Sequence, residues 1–114
     1  MTTIYKIVPR MLWLEAERDG QLAGAPVDIA DGFIHFSAAH QLRDTAAKHF
    51  RGAGDLVLVA VEADRLGAAL RWEPSRGGDL FPHLYGPLPV AAVSGVEDLP
   101  LGSDGVPLVP ETIG

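Results

Sequence analysis

Apolar and polar positions change period several times along the chain, and each change marks a new element. Residues 3–8, TIYKIV, mix β-branched and aromatic side chains around Lys6 and read as a short strand stopped by Pro9. Residues 11–18 are mostly good helix formers in which Met11, Leu12, Trp13 and Ala16 offer an apolar side, and Asp19-Gly20 ends them. Gly24, Pro26 and a second Asp-Gly pair at 31–32 make residues 21–31 a loop or a very short element. Residues 32–37, GFIHFS, are apolar and aromatic except for His35 and Ser37. Ser37 stands where it would cap a helix over 38–50, in which Leu42, Ala46 and Phe50 recur at four-residue intervals with Ala38 and His49 on the same side.

The second half reads as strands. Residues 56–61, LVLVAV, are continuously apolar between Asp55 and Glu62, as expected of a central strand covered on both faces. A turn at 63–67 leads into a strand at 69–73 ended by Pro74, and SRGGD at 75–79 has the chemistry of a hairpin loop returning the chain into 80–85. Gly86-Pro87 closes that segment, 90–99 supplies a further strand, and the Pro- and Gly-rich residues 100–114 wrap the surface as a tail. These elements predict an α+β fold with two helices in one domain spanning 1–114, its core at about 3–99.

Composition narrows the chemistry. A chain of 114 residues is too short for two stable cores, and 47% hydrophobic with 21% charged residues suits an ordinary folded domain. The lack of cysteine excludes disulfides, thiolate metal sites and a cysteine nucleophile, and fits a reducing compartment. The start, MTTIYKIVPR, lacks the features of a secretory signal, and no apolar run reaches membrane-spanning length, so a cytoplasmic protein without membrane contact is expected. The net charge of −6 disfavours nucleic acid as a partner, and Arg43, Lys48 and Arg51 read as a solvated helix face. Phosphate-loop, dinucleotide-glycine, H-E-x-x-H and G-x-S-x-G motifs are all missing from the sequence.

Side chains alternate across a strand, so Phe33, His35 and Ser37 share one face while Ile34 and Phe36 share the other. Phe81, His83 and Tyr85 likewise oppose Leu80, Pro82 and Leu84. Lys6 opposes Tyr5 and Ile7, and Arg71 with Glu73 opposes Leu70 with Trp72. On neighbouring strands these polar faces would bring Lys6, His35, Ser37, Glu73, His83 and Tyr85 to one site. The plainer reading makes each histidine a hydrogen-bonded strand residue. His40 reads as surface, His49 as packing, Glu62 and Asp64 as a strand end and a helix cap, and Trp13 and Trp72 as core. A metal held by His35, His83 and Asp31 or Glu73 fits no established ligand spacing, so none is expected.

The order of segments, IYKI, then DGFIHFS followed by an alanine-rich helix carrying Gln41, then LVLVAVE, LRWEP and LFPHLYGPL, resembles the bacterial domain-of-unknown-function family 952 over residues 3–99. GFIHFS and FPHLYGPL are the specific segments. The resemblance implies a fold similar to ADP-ribosyltransferases and RNA 2′-phosphotransferases, with a small, split, mainly antiparallel sheet holding NAD in its cleft. By that resemblance Lys6, standing where such proteins often carry histidine, contacts a diphosphate as a point charge. His35 and Ser37 meet the nicotinamide ribose, Gln41 follows on the helix, and His83 and Tyr85 stand at the reacting end. Catalysis is thus expected of His35, His83 and Tyr85, and ligand binding of Lys6, Ser37, Gln41, Glu73 and Phe81. The substrate would be NAD or a related nucleotide cleaved at the nicotinamide–ribose bond. The rival expectation is a module, for a small molecule or a protein partner, that uses the same histidine-lined cleft without catalysis.

Overall fold

The central element is the apolar run identified in the sequence. In the computed structural model, which describes residues 2–113, it forms strand β5 (Leu56–Glu62). Before it come β1 (Thr3–Pro9), α1 (Arg10–Asp19), β2 (Gln21–Leu22), α2 (Pro26–Asp31), β3 (Ile34–His35), β4 (Ser37–Ala38) and α3 (Ala39–His49). After it come β6 (Leu70–Pro74), β7 (Leu80–Leu84), β8 (Leu88–Pro89) and β9 (Val93–Leu99). The strands form a four-stranded sheet ordered β4-β1-β5-β9, a three-stranded sheet ordered β3-β7-β6 and the pair β2-β8, with every pairing antiparallel. The architecture is therefore α+β. No helix among the described residues is long and apolar enough to cross a membrane.

Strand β5 alternates between two cores. Val57, Val59 and Val61 pack with Ile4 and Val8 of β1, Trp13 and Ala16 of α1, Ile34 and Leu84 of the smaller sheet, and Phe36. Leu56 and Leu58 pack on the other side with Ile7, with Leu42 and Ala46 of α3, and with Leu99. Burial on both faces is what a continuous apolar strand requires. The second core also receives Tyr5, Phe50, Val109 and Ile113, so the tail closes over it. Arg43 and Arg51, read from sequence as a solvated face, donate instead to the carbonyls of Pro110 and Asp104 and hold that tail in place.

The two sheets part within one segment. Residues 32–37 do not form a single strand: Ile34 and His35 pair with Leu84 and His83 in the small sheet, while Ser37 and Ala38 pair with Tyr5 and Ile4 in the large one. Phe36 lies between them, and its N–H donates to the carbonyl of Pro82 at 3.0 Å. One residue thus carries the chain from sheet to sheet and leaves a gap between His35 and Ser37.

Four further expectations change. There are three α-helices among the described residues rather than two, because residues 26–31 form α2 with Pro26 at its first position. Ser37 does not cap α3: Ala38 occupies the cap position, its N–H donates to Gln41 Oε1 at 2.9 Å, and the Ser37 hydroxyl pairs with Thr45 at the same distance. A glutamine at the third helical position thus makes its half of a capping box, accepting the N–H of a cap residue that has no polar side chain. Trp13 is core, but Trp72 is 40% exposed, since it lies on the outer face of edge strand β6. Met11 likewise faces out, leaving Trp13 and Ala16 as the buried side of α1.

Ile4 is fully buried where β1 meets both β4 and β5. Ile4→Ala is expected to cost about 3 kcal/mol of unfolding free energy in urea titration, a cavity-forming loss in a core with no slack. A loss below about 1 kcal/mol would mean that this junction can collapse around the gap.

Candidate functional site

Lys6 lies on the same face of β1 as Ile4 and Val8, both fully buried, and is itself only 7% exposed. An ammonium in that position must be paired. Its Nζ lies 3.0 Å from Asp28 Oδ2 and 3.3 Å from Oδ1, and donates to the carbonyl of His35 at 2.9 Å. Asp28, 2% exposed, comes from the first turn of α2. Its Oδ2 accepts the Ala25 N–H at 2.7 Å, and its Oδ1 accepts the His35 N–H at 3.0 Å and faces His35 Nδ1 at 2.6 Å. His35 Nε2 stands 2.9 Å from Asp31 Oδ2 at the end of the same helix. Gly24 makes room for this arrangement: its φ is +124°, and a Cβ there would lie 2.8 Å from that of Asp28.

The two partners carry their burial differently. Desolvation pushes the Asp28 carboxyl up, yet the Lys6 charge and the hydrogen bonds from His35 and Ala25 outweigh it and hold the carboxyl below its ordinary value. Desolvation lowers the Lys6 ammonium, and Asp28 restores only part of that loss. The carboxylate has several donors, whereas the ammonium has one charge and one carbonyl.

Beside this group stands a second one. His83 is the direct cross-strand partner of His35, their rings 5.5 Å apart and edge to face, and Arg71 is its partner on the other side. Phe33 stacks on His83 at 4.1 Å and reaches His35 at 4.6 Å and Tyr85 at 5.3 Å. His83 Nδ1 lies 2.9 Å from Glu73 Oε1, which also accepts the Tyr85 hydroxyl at 2.7 Å, and the Arg71 guanidinium lies 5.1 Å from the Tyr85 ring centre. The Tyr85 hydroxyl first, then His83, hold the Glu73 carboxyl below its ordinary value, and the same bond to Glu73 raises the Tyr85 phenol.

Between the sheets lies a cleft of about 640 Å³. Lys6, Asp28, His35, Ser37, Phe81 and His83 line it together with the apolar side chains of Ile7, Phe36, Leu42 and Phe50. Of the residues expected at a common site, Lys6, His35, Ser37, Phe81 and His83 therefore meet there. Glu73 and Tyr85, expected as a binding and a reacting group, lie outside the lining, joined to His83 through Glu73. Gln41 is also outside the lining: its Oε1 serves the Ala38 N–H and its Nε2 donates to the Leu80 carbonyl at 2.7 Å, so it ties α3 to β7. His49, expected to pack, faces the cleft too, and His40 is exposed as expected. Among the described residues no group of three or more His, Cys, Asp or Glu side chains is arranged to hold a metal ion.

Asp28 is the residue that sequence reasoning missed. Its local signal was present, a proline at a helix's first position followed by an acid in the first turn, but that signal announces a helix start and not a partner for Lys6.

Asp28→Asn is expected to destabilise the fold by about 3–5 kcal/mol, because it strands a buried ammonium, and the double variant Lys6→Met, Asp28→Leu should recover much of that loss. Urea unfolding of the three proteins measures both. The folded Asp28 carboxyl lies below its unfolded value, so its contribution is complete above about pH 4 and vanishes as pH falls through the folded value. The acid limb of the stability curve should therefore be shallower in Asp28→Asn; parallel limbs would assign it to other carboxylates.

The family model described as "Protein of unknown function (DUF952)" matches residues 7–96. A crystal structure of protein CC0527 from Caulobacter crescentus is 54% identical, with 98% of each chain covered and a TM-score of 0.95. A solution NMR structure of CC0527 matches at 57% identity over 94% of this chain and 92% of that one, with a TM-score of 0.85. No curated protein matches the chain. With the family model spanning most of its length, and this α+β fold shared with a relative more than half identical, the chain belongs to the DUF952 family.

Proposed function

We propose that the cleft between the two sheets is a nucleotide site of the ADP-ribosyltransferase-like kind, with NAD as its ligand. The observation that carries this reading is the division of the cleft into a polar wall of Lys6, His35, Ser37 and His83 and apolar walls that include Ile7, Phe36, Phe50 and Phe81. Its volume of about 640 Å³ is that of a site for a drug-sized molecule. A ligand that matches both walls has a flat ring for the aromatic side and hydroxyls or phosphate for the other. An ammonium has three N–H donors. Asp28 and the His35 carbonyl engage Lys6, so it would meet a phosphate through its positive charge rather than through a free N–H. The split between His35 and Ser37 gives the ribose two flanking strands.

One observation favours capture of the nucleotide without turnover. Breaking the nicotinamide–ribose bond builds positive charge on the sugar, which a carboxylate facing the cleft would stabilise. Among the described residues Asp28 is the carboxylate lining the cleft, and Lys6, His35 and Ala25 already occupy it. Glu73 lies outside the lining.

Titration calorimetry of NAD and ADP-ribose against the parent protein and His35→Ala tests the site, with circular dichroism as the check on folding. Loss of the imidazole removes part of the wall and releases α2 from its hold, so affinity should fall at least about tenfold, or 1.4 kcal/mol. Failure of the folded parent to bind either nucleotide at millimolar concentration overturns the nucleotide reading. Chromatography of the bound NAD then separates the two outcomes, since released nicotinamide marks an enzyme and intact NAD a binding module.

A further inference from the structure

His35 and His83 are cross-strand partners, yet their nitrogens meet different chemistry. Both nitrogens of His35 face carboxylates, Nδ1 at Asp28 and Nε2 at Asp31. A carboxylate only accepts hydrogen bonds, so whichever nitrogen of His35 carries a proton is already engaged by one of these carboxylates. His83 has one carboxylate, at Nδ1, and its ring lines the cleft. Glu73 cannot donate, so Nδ1 carries the proton, and in the neutral ring Nε2 then holds the lone pair. Phe33 stacks 4.1 Å from the ring, which is only 4% exposed, and the bond to Glu73 favours the orientation that keeps Nδ1 on the carboxylate. Tyr85 donates to the same Glu73 oxygen at 2.7 Å and so keeps the carboxylate ionised and oriented toward His83.

We propose that Tyr85 and Glu73 are positioning residues that preset His83 Nε2 as the hydrogen-bond acceptor of the cleft, for the hydroxyl of a bound ligand. Two paired histidines thereby divide the work. His35 locks α2 and the buried pair in place, and His83 meets the ligand. The acceptor selects molecules bearing a hydroxyl at that point, because a ligand without one leaves no donor for Nε2. In the nucleotide reading, on which this last step rests, the group is a ribose hydroxyl.

Long-range proton–nitrogen NMR of histidine-labelled protein at pH 8 reads the tautomer directly, with His83→Asn supplying the assignment. The parent should show His83 protonated at Nδ1 and bare at Nε2. Glu73→Leu should move the proton to Nε2, while Glu73→Gln, whose amide oxygen still accepts, should keep it on Nδ1. A parent protonated at Nε2, or a tautomer unmoved in folded Glu73→Leu, overturns the proposal; the parent spectrum alone decides if the leucine variant fails to fold. AMP and 2′,3′-dideoxy-AMP then probe the hydroxyl. AMP should shift the Nε2 resonance and bind at least tenfold more tightly, and equal affinities overturn the acceptor role. If neither nucleotide binds while the Nδ1 tautomer is in place, the positioning by Glu73 is upheld and the nucleotide reading falls.

Discussion

The structure turns on a lysine placed where a hydrophobic residue would ordinarily sit. Lys6 occupies the core face of β1 between Ile4 and Val8, and an unpaired charge there would cost several kcal/mol. Asp28 answers it from 22 positions along the chain. The pairing brings α2 against β1, requires the glycine at 24 for clearance, and uses the remaining oxygen capacity of the carboxylate to hold the backbone and ring of His35. Stability and site thus share the same atoms. A buried ion pair is seldom the most stable solution available to a core, since apolar residues of similar volume often do as well. Here the pair stands in the wall of the cleft.

The second constraint is the break at Phe36. A continuous strand over residues 32–37 would have placed His35 and Ser37 on one surface, two residues apart. Division of that segment between two sheets sends His35 toward β7 and Ser37 toward β1, and the space between them becomes the cleft. Phe36 pays its own way by packing into the larger core while its N–H is satisfied by Pro82. The cleft is lined by side chains that belong to both cores and both sheets.

Histidine placement shows how identical residue types in register acquire different roles. His35 lies between two carboxylates of one short helix, and His83 lies between a carboxylate and an aromatic ring. The difference comes from what each neighbouring strand and helix presents, and the cross-strand pairing itself does not distinguish them. Glu73 and Tyr85, which alternate onto the same face as His83, bond to each other, Glu73 also to that histidine, and lie outside the lining of the cleft.

Local patterning determined most of the elements. The run LVLVAV shows that β5 is buried on both sides, the four-residue spacing of Leu42 and Ala46 marks the inner face of α3, and Pro74 with SRGGD marks the β6–β7 hairpin, because each of these signals reports the environment of residues close in sequence. The alternation within GFIHFS and FPHLYGPL was likewise enough to nominate His35 and His83. Tertiary structure decided everything that depends on partners distant in the chain. It joined Asp28 to Lys6 and His35, bonded Gln41 to the Leu80 carbonyl and Tyr85 to Glu73, exposed Trp72 and gave Arg43 and Arg51 a tail to hold. Periodicity records whether a position is buried, and a buried charge or hydrogen-bonding group must find its partner wherever the fold happens to bring one, so the identity of that partner leaves no trace in the local pattern.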